Sequence, residues 1–415
     1  MAASLAEVLL RFGRSCLARH ALGSACARAW RAIVACRTPL LGGQLWRCED
    51  CGNEQWRWHS CRNRHCPRCQ KPAQDAWRRA RGAELLDVPY AHMVFTLPHE
   101  LNALARAHAR WVYDTLLACT AATLAEFCAN PRWLGGQGAC TLVLHTWSQD
   151  LRLHIHVHAL VACGALGADA RWIAPRRSSR FVFPVHALSK VFAGKFRAAL
   201  HDAQRRGALP RDPDAQRREQ RMQRLRRKPW VVYAKTPLAG PAAVLDYLSR
   251  YTHRTAIGDD RIVAIDGADV LLRVRAGDAA ASAPPDGARR AGHKKIVRID
   301  GVEFIGRFLQ HVLPLGFKRI RHCGILAAAH KARALAAARA ALAMPAAQPP
   351  ALDSAAQFMR RVQRIDIECC AHCRARWHVV QTAAAERLAL HEVPPLPRAR
   401  PPSPGRAAAV MPGGP

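Results

Sequence analysis

Long uncharged apolar runs are missing from this chain of 415 residues. No stretch of about 18 apolar residues runs without a charge, so no transmembrane helix is expected. Arg11, Arg14, Arg19, Arg28 and Arg31 interrupt the first helical stretch, so no signal-peptide apolar region is expected either. Acidic residues are scarce: 30 Asp and Glu face 63 Lys and Arg, a net charge of +33. Self-repulsion of that size is best tolerated beside a polyanion, which points to nucleic acid. Lysine is scarcer still, at 9 residues against 54 Arg. Arg forks onto phosphate and guanine better than Lys. A G·C-rich genome explains the choice of Arg equally well, but it does not explain the charge. No phosphate-binding loop and no internal repeat are present. Apolar residues make up 50% of the chain, enough to build real cores, which excludes a wholly disordered protein.

The length fits two or three folded units. Residues 1–40 and 99–130 have helical spacing, and 71–86 read as a basic helix. Tyr90–Pro98 is a β-rich run stopped by proline. Thr141–Trp147 and Leu151–Val161 read as two strands joined by a Ser148-Gln149-Asp150 turn. Residues 188–201 read as helix, 204–228 as a highly basic segment, and 242–254 as a helix. A hairpin with a Pro/Gly/Ala insertion is expected over 261–300. A helix and basic turn follow over 302–326, then an Ala-rich helix over 327–345.

The 16 cysteines belong in a reducing compartment, where clustered cysteine means metal more often than disulfide. Cys48-x2-Cys51 and Cys66-x2-Cys69 have the spacing of a closed structural Zn²⁺ site. Cys61, His65 and His59 lie between them and could exchange with one of the four. Arg57, Arg62, Arg64 and Arg68 thread the cluster, with Trp56 and Trp58 nearby, as a zinc-held DNA-binding module would display. A second pair, Cys370-x2-Cys373, has Cys369 and His372 beside it but no matching half after it. It reads either as a further zinc element or as cysteines in a loose tail.

His154-Ile155-His156-Val157-His158 alternates strictly, so on a strand the three imidazoles share one face. Neutral imidazoles two residues apart can hold one divalent cation with an open shell, which suits a catalytic site. His92, His145 and Asp150 are the candidates for a further ligand. Tyr247 and Tyr251 stand at i and i+4, on one face of a helix. Arg250, His253 and Arg254 surround them, which is natural beside phosphate. A tyrosine hydroxyl can attack a phosphodiester once a metal withdraws charge from it.

These stretches together resemble the rolling-circle insertion-sequence transposases of the HUH superfamily, the two-tyrosine group with an N-terminal zinc-binding domain. The matching blocks are CRTPLLGG (36–43), SCRNRHCPRCQ (60–70), YAHMVFTLP (90–98), LVLHTWSQDLRLHIHVHALV (142–161), YLSRYTHRTAI (247–257) and FIGRFLQHVLPLGFKRIRHCGIL (304–326). They run in family order over about residues 1–330. Cys323 stands where the family has Tyr, and the C-terminal Cys motif is degenerate.

The resemblance implies an α+β fold. A zinc-ribbon-like module with its N-terminal helix (1–85) would precede an HUH nuclease domain (86–330) with a central antiparallel, palm-like sheet and flanking helices. An Ala-rich helix with the degenerate Cys motif (331–387) and a disordered Pro/Ala-rich tail (388–415) would follow. It implies a metal-dependent tyrosine DNA endonuclease and strand transferase acting on single-stranded transposon ends and target DNA. Tyr247 and Tyr251 would be the nucleophiles, and His156 and His158 would hold Mg²⁺ or Mn²⁺. His154 also satisfies the pattern. Zn²⁺ would be structural, and Arg62, Arg64, Arg68, Arg250 and Arg254 would contact DNA. Host replication and helicase machinery would supply unwinding, and a bacterial cytoplasmic, nucleoid-associated location follows. A plasmid replication initiator or relaxase with the same chemistry is the alternative, as is a non-catalytic zinc-dependent DNA-binding regulator.

Overall fold

The structure, a computed structural model, describes residues 3–175, 182–210, 214–235, 244, 256–275, 294–348 and 353–385. The chain enters through two helices, α1 (Leu5–Arg19) and α2 (Ser24–Ala35). Ser4 and Glu7 close a capping box on α1, each side chain bonded to the other's backbone N–H. Leu5, Val8 and Leu9 fall on its buried face. The expected single helical stretch is two helices because the chain is extended at His20 and Gly23, where one ends and the next begins. A hairpin follows, β1 (Gly43–Cys48) and β2 (Glu54–Trp58), and then the basic helix α3 (Gln70–Gly82).

The central sheet starts with β3 (Tyr90–Thr96). After Pro98 the expected helix is split at His108 into α4 (Asn102–Ala107) and α5 (Ala109–Ala129). Strands β4 (Gln137–Trp147) and β5 (Leu153–Leu166) then pair antiparallel, with the short β6 (Trp172–Ile173) against the end of β5. Helices α6 (Val185–Arg205) and α7 (Ala215–Arg227) lead to β7 (Val232–Ala234). A three-stranded meander follows, β8 (Ile262–Asp266), β9 (Asp269–Arg275) and β10 (Lys294–Asp300), and runs into α8 (Gly301–Leu309). The basic stretch expected as a turn after this helix contains a strand, β11 (Ile320–Gly324), because β4 offers it an open edge. The Ala-rich helix is α9 (Lys331–Ala341). The single turn α10 (Ala355–Phe358) and a last strand, β12 (Trp377–Ala383), complete the described chain.

The central sheet has the order β11-β4-β5-β3-β7, every pairing antiparallel. This is the expected α+β architecture with an antiparallel central sheet. One face of β5, made by Ile155, Val157, Ala159 and Val161, is fully buried in the largest core with α5 and α6. Phe95, Phe192, Phe196 and Trp230 fill that core in edge-on and tilted contacts. α5 is long and apolar enough to cross a membrane by length and composition, and its apolar residues are packed into this core.

A second core joins distant parts of the chain. Leu5, Val8, Trp30 and Ile33 pack with Ile262, Leu272, Phe304 and Phe308. The N-terminal helices therefore share a core with the meander. The third sheet has the order β12-β1-β2, so the last strand completes the first hairpin. The tail expected from 388 onward lies outside the described residues.

Two positions fix how these parts meet. Gly324 has φ +65°, and a Cβ there would overlap the Gly138 carbonyl oxygen across β4 and β11. Gly324→Ala should cost at least about 1–2 kcal/mol, read as a lowered denaturation midpoint. An unchanged midpoint would show that β11 can shift freely.

His311 is 3% exposed. Its Nε2–H donates to the Leu151 carbonyl, and its Nδ1 accepts from the Thr146 hydroxyl. Burial holds its imidazole down to about 4, from an ordinary 6.5. Because the folded value lies below the unfolded one, this contribution is complete above about 6.5 and is lost as the pH falls toward about 4. The difference corresponds to on the order of 3 kcal/mol. His311→Gln should therefore weaken the loss of denaturant resistance between about pH 7 and about pH 5. Identical pH dependence in both proteins would remove His311 as a cause.

Candidate metal and nuclease site

β5 places His154, His156 and His158 on the face opposite its apolar core. Strand pairing decides which of them meet a partner. His145 on β4 stands directly across from His156, and Thr96 and Val94 on β3 stand across from His156 and His158. The donor nitrogens of His145, His156 and His158 all lie within 4.8 Å of one another. His154 is not in that group. It lies beyond the last β3 partner of β5, and its ring centroid is 5.6 Å from that of His99 on the turn after Pro98. Of the three candidates for a further ligand, His145 is therefore the one brought in. A register shift between His145 and Trp147 stacks the two rings, with centroids 4.4 Å apart. Asp150 instead accepts a hydrogen bond from the Ser148 hydroxyl and pairs with Arg152 at 3.0 Å.

The remaining ring nitrogens are engaged. His156 Nδ1 lies 2.9 Å from the His154 carbonyl, which makes it the protonated nitrogen and leaves Nε2 as the donor. His158 Nδ1 lies 2.9 Å from His92 Nε2, and the two rings stack. With Nδ1–H donated to His92, His158 also offers Nε2. Burial holds His156 down to about 4, with the nearby His154 adding to the effect. Burial pushes His158 well below the ordinary range, helped by His145, His156 and His92. His92 is held to about 3, first by burial and then by Lys235. These rings are therefore neutral near neutral pH, as metal ligation requires. Three ring nitrogens, with no fourth side chain in the group among the described residues, suit a divalent cation with open positions.

Tyr247, Tyr251, Arg250 and Arg254 lie outside the described residues. Their flanks are fixed. Val244 is fully buried among Tyr90, Ala139, Leu160 and Ala162, and Leu160 stands opposite His92 on the imidazole face. Downstream, Ala256 and Ile257 enter the second core.

The cysteines depart from the expected grouping. The structure does not bring Cys48, Cys51, Cys66 and Cys69 together; it divides them between two sets of four. Cys36, Cys61, Cys66 and Cys69 form one set, and Cys48, Cys51, Cys370 and Cys373 form the other. Within each set the sulfurs lie within 4.8 Å of one another. The reason is the hairpin. Gly43 pairs with Trp58 at one end of it, while Cys48 and Cys51 sit at the turn at the other, about 17 Å of strand away. Cys36 at the end of α2 and Cys61 just after β2 meet at the first end. The sequence reading missed Cys36 because it has no cysteine at CxxC spacing; its one signal was its place at the head of the CRTPLLGG block.

Cys36 Sγ is 3.5 Å and Cys61 Sγ 3.7 Å from Cys69 Sγ. Hydrogen bonding from the Cys66 thiol holds the Cys61 thiol down to about 5 against its burial, with further bonds from the Asn63 backbone and the Cys36 and Cys69 thiols. Four thiols so disposed fit a tetrahedral Zn²⁺ shell. His65 is outside both sets, because its Nε2 accepts from the Leu313 N–H at 3.4 Å.

The expected DNA-contacting arginines also divide. Arg62 is exposed. Arg68 is exposed and pairs with Asp259 at 3.4 Å. Arg64 instead turns inward and donates to the backbone carbonyls of Pro314 and Phe317, tying the cysteine module to the segment after α8.

Residues 8–97 match the family described as "Transposase zinc-binding domain", and residues 139–334 match the family described as "Putative transposase". The chain is 38% identical over 379 residues to the Sinorhizobium fredii protein named "Putative transposase y4qJ", covering 89% of this chain and 92% of that one. It is 35% identical over 144 residues to "Transposase for insertion sequence element IS801" of Pseudomonas savastanoi pv. phaseolicola, 34% of each chain. Among solved structures it is similar to the conjugative relaxase TrwC in complex with oriT DNA, at 12% identity over 39% of this chain and 73% of that one, with a TM-score of 0.22. The chain belongs to the insertion-sequence transposases with an N-terminal transposase zinc-binding domain.

Proposed function

We propose that this transposase nicks and rejoins single-stranded DNA at insertion-sequence ends by tyrosine attack, with His145, His156 and His158 as ligands of one catalytic Mg²⁺ or Mn²⁺. The observation that carries this reading is the convergence of three imidazoles from two paired strands on one face of the sheet. Bound there, such a cation withdraws charge from the scissile phosphate. His92 acts as a positioning residue, since it fixes the ring of His158 through the 2.9 Å hydrogen bond.

Tyr247 and Tyr251 supply the nucleophiles. Val244 is buried on the imidazole face, and the tyrosines follow within about 10 Å and about 24 Å of extended chain. In the first step the phenolic oxygen of one tyrosine bonds to phosphorus and its proton passes to solvent. The P–O3′ bond breaks and the 3′ oxygen takes up a proton. The products are a 5′-phosphotyrosine and a free 3′-OH. The second tyrosine takes the other strand or end while the first link persists. Each step exchanges one phosphodiester for another, so joining needs no nucleotide hydrolysis.

Arg250 and Arg254 flank the tyrosines and would steady the phosphates on either side. Cys36, Cys61, Cys66 and Cys69 hold a structural Zn²⁺ whose closed shell leaves no room for substrate. The exposed Arg62 and Arg68 face the DNA backbone, while Arg64 fixes the module to the rest of the chain. Host replication and helicase proteins supply the unwinding, and the expected nucleoid location follows from that partnership.

Single-turnover cleavage of labelled single-stranded ends with Mn²⁺ tests this. Tyr247→Phe/Tyr251→Phe should form no covalent protein–DNA adduct and should cleave more than about a thousandfold more slowly. An adduct from that protein would sink the nucleophile assignment. His156→Ala/His158→Ala should lose the response to Mn²⁺. His92→Gln should need about 10–100-fold more metal for half-maximal rate. Native metal dependence in His92→Gln would remove its positioning role.

A further inference from the structure

We infer that Cys48, Cys51, Cys370 and Cys373 bind a second Zn²⁺ that clasps the C-terminal segment, residues 353–385, onto the N-terminal module. Neither matched family region reaches Cys370 or Cys373. The inference stands on thiol geometry alone, so its failure would leave the nuclease reading untouched.

The two halves of the site have the same local construction. In the first, the Cys48 N–H donates to the Asn53 carbonyl at 2.9 Å, and Gly52 takes φ +68°. In the second, the Cys370 N–H donates to the Ala375 carbonyl at 2.7 Å, and Arg374 takes φ +69°. Each CxxC turn thus closes from its first cysteine to the residue five positions on, with a left-handed residue just before that one. This turn aims both sulfurs of a pair at one point, as a metal knuckle must. Glycine reaches the left-handed region freely, but arginine does not. A second turn that keeps this shape with Arg374 in place of glycine is one over-determined by its surroundings.

The two knuckles face each other across the sheet. Cys48 Sγ lies 3.3 Å from Cys373 Sγ, and Cys51 Sγ lies 3.7 Å from Cys370 Sγ. A disulfide needs about 2.05 Å, and all four are free thiols. Cys48 and Cys370 are buried, while Cys51 and Cys373 are exposed, so the site sits at the surface. The surrounding segment is built to hold that register. β12 pairs with β1 from Cys48 opposite Trp377 to Gly43 opposite Ala383. The Arg57 guanidinium lies 4.3 Å from the Trp46 ring and 5.4 Å from that of Trp377, and it donates to the Ile367 carbonyl. Arg361 pairs with Asp75 on α3, and Arg79 on α3 with Asp353.

The clasp also sets the shape of a cleft. Phe358, Met359 and Ile365 form one wall of a cavity of about 690 Å³, and Arg37, Arg68 and Lys71 stand on the other. Releasing the clasp would take one wall away.

The test is zinc content and hydrogen exchange of the full chain. Purified protein should carry about two zinc ions, and Cys370→Ser/Cys373→Ser about one. In that variant amide exchange should rise in residues 43–48 and 377–383, with the central sheet unchanged. A chelator should strip the wild-type ions in two phases, and the faster phase should be missing from the variant. Cys36→Ser/Cys61→Ser should instead lose the slower phase, which separates loss of this ion from loss of the first. A Cys370→Ser/Cys373→Ser chain that keeps the full wild-type zinc content would overturn the inference. So would peptide mapping that finds these four cysteines as disulfides in the zinc-loaded protein.

Discussion

The register between β4 and β5 is the constraint on which the rest depends. With His145 opposite His156, the odd positions of β5 supply Ile155, Val157, Ala159 and Val161 to the main core, and the even positions supply the imidazoles. A slip of one residue would exchange the two sets, burying histidines among Phe95, Phe192 and Phe196 and exposing the valines. Core and candidate site are thus two faces of one pairing. What stabilises the fold also fixes the donor nitrogens, and no loop is needed to hold them. The neighbouring strand extends the same logic, since β3 brings His92 to the same face and within hydrogen-bond reach of His158.

The thiol sets do for the periphery what strand pairing does for the centre. β1 and β2 are short, and an isolated hairpin is marginal in water. One set of cysteines closes the end of the hairpin near α2, and the other closes its turn against a strand more than three hundred residues later. The N-terminal helices are drawn the other way, into the core beneath the meander. Chain order and spatial grouping therefore differ at both ends. The N-terminal part of the chain is held between a C-terminal strand and a mid-chain helix, α8.

That difference sets how far the sequence could be read. Period-two alternation is a local signal, so both central strands and the shared face of His154, His156 and His158 were legible. Which third histidine joins them depends on pairing between strands, and strand periodicity carries no information about register. The same holds for cysteine. The CxxC spacing marked tight cysteine turns, but pairing Cys48-x2-Cys51 with Cys66-x2-Cys69 assumed that neighbours in sequence are neighbours in space. The hairpin between them separates them, and Cys36, with no cysteine at knuckle spacing, had nothing local to mark it. Arg64 was misread for a related reason. Composition counts it as surface charge, whereas its guanidinium is taken up by the carbonyls of Pro314 and Phe317.

The net charge of +33 reads differently once the residues are placed. Arg79 and Arg361 are engaged in ion pairs that bind one element to the next. Arg319 is buried, and burial pulls its guanidinium down to about 10, so it stays charged within the fold rather than at a DNA surface. On the imidazole face His92, His156 and His158 are neutral because burial makes protonation costly, and Lys235 is a cation that acts on His92 and His158. The rings themselves bring no charge to a phosphodiester seated there. In a protein so basic, that is a physical reason to separate binding from chemistry. Arginines can hold the DNA backbone, and neutral imidazoles can hold a divalent cation, which would supply at a reacting phosphate the charge that the rings lack.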